Sequence, residues 1–148
     1  AMALGLSLGV STDTQAASSV KVIDGSQLTK DAESIGYSQK VARGEDLLTG
    51  YSKIVRMGPG EIYAGGTTIA SHEVARIGIG VMIERAKEED TEWSLYDAWN
   101  KFLENTDRVS SKEYMDVEGD YYYRVRCVHS ANDDVSSSFT DGVYIEEP

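Results

Sequence analysis

The alternation of side chains along Arg76–Arg85 constrains this chain more than any other feature. Ile77, Ile79, Val81 and Ile83 take every second position, with Gly78, Gly80, Met82 and Glu84 between them. A period of two belongs to a strand, and a single apolar row implies one buried face. The β-branched residues reinforce that reading, because their restricted χ1 suits a pleated surface. Tyr121–Val128 repeats the pattern, with Tyr121, Tyr123, Val125 and Cys127 on one side. Its other row, Tyr122, Arg124 and Arg126, is predicted to face out.

Shorter segments follow the same logic. Tyr51–Met57 predicts a strand stopped by Gly58-Pro59-Gly60, and Glu61–Ala64 another ended by Gly65-Gly66. Ala86–Thr91 is charged and predicts a loop. Glu92–Leu103 admits two readings. As a strand it places Trp93, Leu95 and Trp99 on one face. As a helix it repeats Trp93, Tyr96, Trp99 and Phe102 every three residues, with Ser94 and Asp97 resembling a capping box. The expectation is a strand to Trp99 and then a turn. Arg108–Val117 and Phe139–Ile145 predict two further strands around a polar loop at Ser130–Ser137. Short strands at this spacing predict an all-β, antiparallel β-sandwich over residues 51–148. Residues 17–50, with weak periodicity, are expected to form an extended N-terminal arm on it, carrying a short strand at Val20–Ile23.

With 148 residues the chain has room for one domain with a core. Nine Tyr, two Trp and 14 Gly against two Pro fit a strand-rich protein. A net charge of −11 argues against nucleic acid as a partner, since phosphate binding needs a concentrated basic face. Ala1–Val10 is an apolar run too short to cross a bilayer, and Ser11–Ala17 ends in small residues. That order matches the apolar and cleavage regions of a secretory signal, with Thr14 and Ala16 at the small positions. Residues 1–16 are therefore expected to be a signal remnant and the protein to be secreted. Cys127 is the only cysteine, so no intrachain disulfide can form.

The stretch Val117–Val128 resembles the sixth-strand region of fibronectin type III and related immunoglobulin-like domains, where a Gly turn precedes a Tyr that begins an alternating strand. The resemblance implies that Tyr121 is the corner tyrosine, with its hydroxyl bonded to upstream backbone. Cys127 sits near the second bridging cysteine of antibody domains, but the facing strand offers only Ile79 and Val81. The chain is also similar to an uncharacterised family of small secreted proteins of Gram-positive bacteria. Gly50-Tyr51-Ser52-Lys53, Gly65–Ile69, Gly119–Arg126 and Ser137-Ser138-Phe139 carry that likeness. It implies export and fold, not an activity.

Candidate sites follow from these placements. Cys127 and His129 share a strand face about 6.5–7 Å apart, too far for a nucleophile bonded to its base. No hydrolase, zinc-protease or phosphate-loop motif is present, so the expectation is a protein that is not an enzyme. Glu88, Glu89 and Asp90, with Asn132, Asp133 and Asp134, would offer six oxygen ligands at one end of an immunoglobulin-like sandwich. Calcium takes six to eight such ligands, so Ca²⁺ is the alternative cofactor to none. The most informative surface is Tyr96, Tyr122, Arg124, Arg126 and Tyr144 on one outer sheet face, a composition typical of binding hot spots. It predicts a secreted, non-catalytic interaction domain for an extracellular protein or glycan, in which Arg124→Ala and Tyr122→Ala leave folding intact. The alternatives are a structural or self-associating cell-surface component, and a cell-wall hydrolase.

Overall fold

The computed structural model of the chain describes residues 20–39 and 44–148. The expected signal remnant, residues 1–16, lies outside the described residues. The described residues form nine strands and no helix. These are β1 (Val22–Ile23), β2 (Ser26–Thr29), β3 (Glu33–Tyr37), β4 (Leu47–Gly58), β5 (Glu61–Ala86), β6 (Ser94–Asp116), β7 (Tyr121–Ala131), β8 (Asp134–Phe139) and β9 (Gly142–Ile145).

The all-β class expected from the sequence is observed, and the finer architecture differs. The strands join in one sheet of order β1-β2-β9-β7-β5-β4-β3, with β6 on β5 and β8 on β7, curled into a half-barrel. The sheet is mixed, because β2 runs parallel to β9 while the other pairs are antiparallel. The parallel pair arises where residues expected as an arm lie along the edge of the last strand. These residues contribute β1, β2 and β3, and β3 extends the sheet beyond β4.

The length of β5 organises the molecule. Its first part runs between β4 and β6, and Ile77–Ala86 runs between β7 and β6. Between the two parts, pairing jumps from Ile69↔Arg108 to Val74↔Thr106, a bulge in β5 opposite Asp107. Bulges bend the strand that carries them, and here the two halves of the β5–β6 hairpin fold toward one another. Trp99 Nε1 donates to Ser111 Oγ at 2.8 Å, and Lys101 Nζ donates to the Ser110 carbonyl at 3.2 Å, across that fold.

Gly65-Gly66 therefore does not end a strand, contrary to expectation. Both glycines mark close approach within β5. A Cβ on Gly66 would lie 2.4 Å from the Tyr51 carbonyl oxygen and 2.8 Å from Cys127 Sγ. Gly66→Ala is expected to cost about 1–3 kcal/mol by overpacking. Urea denaturation checks this, and an unchanged midpoint would contradict the packing described. The segment Glu92–Leu103 is a strand, but it does not turn after Trp99; β6 continues to Asp116.

The inward row is as predicted. Ile77, Ile79, Val81 and Ile83 are buried with Tyr123, Val125 and Cys127, and Ile54, Ile62 and Ala64 close the core from β4 and β5. Each such aliphatic side chain contributes about 1.5–3 kcal/mol of burial. The hydroxyl that bonds to upstream backbone is that of Tyr123, not Tyr121, and it donates to the Glu118 carbonyl. Tyr121 is only half buried, at the strand's first residue. Desolvation pushes the Tyr123 phenol up to about 12.

Candidate functional site

The outward row of β7 is where candidate binding residues were expected, and the structure divides it. Tyr122 and Arg124 do not stand in solvent. Arg124 is 1% exposed, although its strand position is on the outer side. The reason is cover that the sequence does not announce: the β1–β2 turn, Trp93 and Phe139 close around this side chain. Arg124 Nε donates to Glu84 Oε1 at 2.8 Å, and its Nη2 donates to Asp24 Oδ2 at 2.8 Å. Its Nη1 donates to the Asp24 carbonyl and to Ser26 Oγ, each at 2.9 Å. The guanidinium is held between Trp93 and Phe139, at 4.9 and 5.1 Å from their ring centroids. Trp93 is fixed in turn, donating Nε1 to the Ile23 carbonyl at 2.8 Å. Arg124 thus ties the β1–β2 turn to the sheet, which corrects the expectation that it is a free contact residue.

Beside this node Tyr122 is also buried, and the residues around it are more open. Tyr122 and Tyr144 are register partners with ring centroids 5.1 Å apart. Lys30 Nζ lies 3.9 Å from the Tyr144 centroid and 5.8 Å from that of Tyr122. Tyr144 Oη donates to Asp120 Oδ1 at 2.9 Å, and Lys87 Nζ donates to Asp120 Oδ2 at 3.2 Å. These two donors hold the Asp120 carboxyl below its usual range. With Glu88 and Glu89 these residues line a cavity of about 320 Å³.

A second cavity of about 430 Å³ adjoins it along β7, lined by Asp24, Glu84, Glu92, Trp93, Arg124 and Arg126. Arg126 Nη2 lies 3.4 Å from Glu84 Oε2, and its buried Nε has no hydrogen-bond partner among the described residues. The loop that joins β5 to β6 supplies walls to both cavities, through Glu88 and Glu89 in one and Glu92 and Trp93 in the other. A further cavity of about 430 Å³, at Tyr51, Tyr63, Lys101 and Lys112, contains no carboxylate.

Of the five predicted contact residues, the structure brings Tyr122 and Tyr144 together, with Arg124 and Arg126 in the adjoining cavity. Tyr96 is elsewhere. A register shift between Ile83 and Glu84 makes it the extra residue of β6, and its ring packs against Tyr123 at 5.6 Å and Arg85 at 4.8 Å. Lys30, Asp120, Glu84 and Trp93 were not among the expected residues. Only Trp93, directly after the charged loop, carried a signal in the sequence.

The topology does not bring together the six residues of the calcium alternative. Ala86 pairs with Tyr122 and Ile77 with Ala131 in an antiparallel ladder. The loop after β5 therefore lies at the start of β7, and Asn132–Asp134 lies at its far end. The expectation assumed strands in two sheets, whereas β5 and β7 are neighbours in one. Among the described residues no group of three or more His, Cys, Asp or Glu is placed to hold a metal ion. At the far end, Asp134 Oδ2 accepts the Asp46 and Leu47 amides at 2.8 and 3.1 Å, and these hold its carboxyl low. Asn132 Oδ1 accepts the Arg76 amide at 3.2 Å.

His129 is likewise structural in geometry. It is fully buried, with Nδ1 2.8 Å from Thr68 Oγ1 and Nε2 2.8 Å from Ser138 Oγ, which lies 2.6 Å from Ser52 Oγ. Burial lowers its pKa to about 4 and raises that of Cys127 to about 12. Neither side chain reaches solvent, and His129 is used to hold Thr68 and Ser138 together inside the sheet.

No family model matches the chain, and no curated protein matches it. Among solved structures, the sporulation control protein Spo0M from Bacillus subtilis is similar at 9% identity and a TM-score of 0.37. The match covers 80% of this chain and 51% of that protein, so this chain spans about half its length.

Proposed function

We propose that the chain is an exported, non-catalytic binding module that holds an extracellular glycan in the cleft between the β5–β6 loop and β7. The supporting observation is the pair of adjoining cavities, in which aromatic rings meet both carboxylates and guanidinium groups. Sugars are recognised by that combination, an apolar ring face against their C–H groups and planar polar groups against their hydroxyls. The cavity at Tyr51 has rings and lysines but no acceptor carboxylate, which is why we favour the β7 side. Export is supported by the signal-like order of residues 1–16. The corner geometry of Tyr123 supports a distant relation to immunoglobulin-like domains.

The full chain on a glycan array tests this reading. Arg126→Ala and Glu92→Gln should each weaken any captured glycan about tenfold or more, with melting temperature unchanged, since both residues lie at the open side of the cleft. Absence of any bound glycan, or binding indifferent to both substitutions, rejects the proposal.

A further inference from the structure

The longest exposed edge of the described sheet is not at the cleft. β6 pairs with β5 through Ser94–Asp116, and no described strand pairs with its other side. An edge of this length presents a row of free N–H and C=O groups, which proteins ordinarily cover or block. β6 also exposes large apolar side chains, with Leu95 64%, Phe102 47% and Leu103 38% accessible. We propose that the first half of β6 pairs antiparallel with the same segment of a second copy, making a two-fold dimer with a continuous sheet.

The sequence of the edge selects this occupant. Asn105 has a left-handed φ of 57°, next to the bulge in β5, and it divides β6 into two halves of which Ser94–Glu104 is the first. The midpoint of that segment is Trp99. A two-fold axis perpendicular to the sheet preserves which face each side chain points to, so it passes through a residue. Centred on Trp99, the pairing sets Asp97 opposite Lys101 of the second copy, and does so twice. Beyond the bulge at Tyr96, the flanks bring Leu95 near Phe102 and Leu103 of the second copy, covering these exposed apolar groups. Neighbouring centres lose this match. Centring on Ala98 or Asn100 places Asp97 and Lys101 opposite uncharged residues, and centring on Lys101 places lysine against lysine. Charges that would repel an arbitrary strand are thus complementary to their own copy, and opposite charges across strands stabilise where like charges destabilise. The pairing gives up two solvent-exposed bonds, that of Lys101 to the Ser110 carbonyl and that of the Ala98 amide to Asp97 Oδ1.

Sedimentation of the full chain over a range of concentrations tests the dimer. The wild type should show a concentration-dependent monomer–dimer equilibrium. Asp97→Lys and Lys101→Asp should each weaken it by about tenfold or more, because each converts both cross-copy pairs to like charges. An equimolar mixture of the two variants should recover dimers, since every pair across the mixed interface is again opposite in charge. That recovery also excludes misfolding as the cause of the single-variant loss. A wild type that stays monomeric throughout, or dimers indifferent to both substitutions, would overturn the proposal. So would single-variant losses that the mixture does not restore. The glycan test is independent, because neither residue lines the cleft.

Discussion

Arg124→Ala should destabilise the protein by about 3–5 kcal/mol, the largest effect expected of any single substitution in β7. The side chain is 1% exposed and uses Nε, Nη1 and Nη2 as donors. Removing it leaves the Glu84 carboxylate, which is itself 8% exposed, beside an empty space with only the longer contact to Arg126. It also releases the β1–β2 turn, because the Asp24 carbonyl, the Asp24 carboxylate and Ser26 Oγ lose their shared donor. Guanidinium denaturation gives the loss directly. Adding Glu84→Gln to Arg124→Met should recover part of it, because the uncompensated charge is then gone. Arg126→Ala, at a residue more than a third exposed, should change stability by less than about 1 kcal/mol. Equal effects at Arg124 and Arg126 would contradict the burial of one and the openness of the other.

The second large effect is in pH. His129 is held neutral, with a pKa near 4 in the fold against 6.5 for a free imidazole. The unfolded chain therefore binds the proton more readily, and stability falls as pH decreases. Its contribution is complete above about pH 6.5 and disappears between there and pH 4, to a limit of about 3 kcal/mol. His72 works in the opposite sense. Its bond to the Glu73 carbonyl and the nearby Asp46 carboxylate raise its pKa, so its small stabilisation is present at low pH and is lost as pH rises. The carboxylates of Asp120 and Asp134, held low, lose their contribution below the His129 window. Denaturation midpoints at a series of pH values should show the slope in the wild type and its loss in His129→Asn. A slope that persists in the variant would assign it to other groups.

The core was legible in the sequence because burial follows alternation. Ile77 through Ile83 and Tyr123 through Cys127 point inward as their spacing requires, and they sit where two strands pair directly. What alternation cannot reveal is whether the opposite row meets solvent or another layer. Arg124 has the position of an outward residue and the surroundings of a core residue, because residues remote in sequence, Asp24, Ser26 and Trp93, cover it. Glycine misled in a related way. Gly65-Gly66 has the composition of a turn, yet the chain runs straight through, because the missing side chains admit the backbone of β4 and β6. Tyr121 and Tyr123 share one row, and only tertiary contact decides which one reaches the Glu118 carbonyl.

The cleft was legible by chemistry and partly by place. Tyr122 and Tyr144 meet because β7 and β9 pair in that register. Tyr96 is separated from them by the bulge in β6, for which the sequence has no marker. The acidic loops looked like one site only under a topology with strands in two separate sheets. Antiparallel pairing of β5 with β7 places those loops at opposite ends.

The rest depends on Arg124 being sealed beneath the β1–β2 turn and Trp93 while Arg126, two residues on in β7, stays open to solvent. Solvent exchange of the arginine Nε–H protons, followed by nuclear magnetic resonance at neutral pH, reads this residue by residue. The Arg124 proton, donated to Glu84, should exchange orders of magnitude more slowly than those of the exposed Arg76 and Arg108. An Arg124 proton exchanging at the rate of these surface arginines would show an open face, and the buried node and the cleft beside it would both be lost.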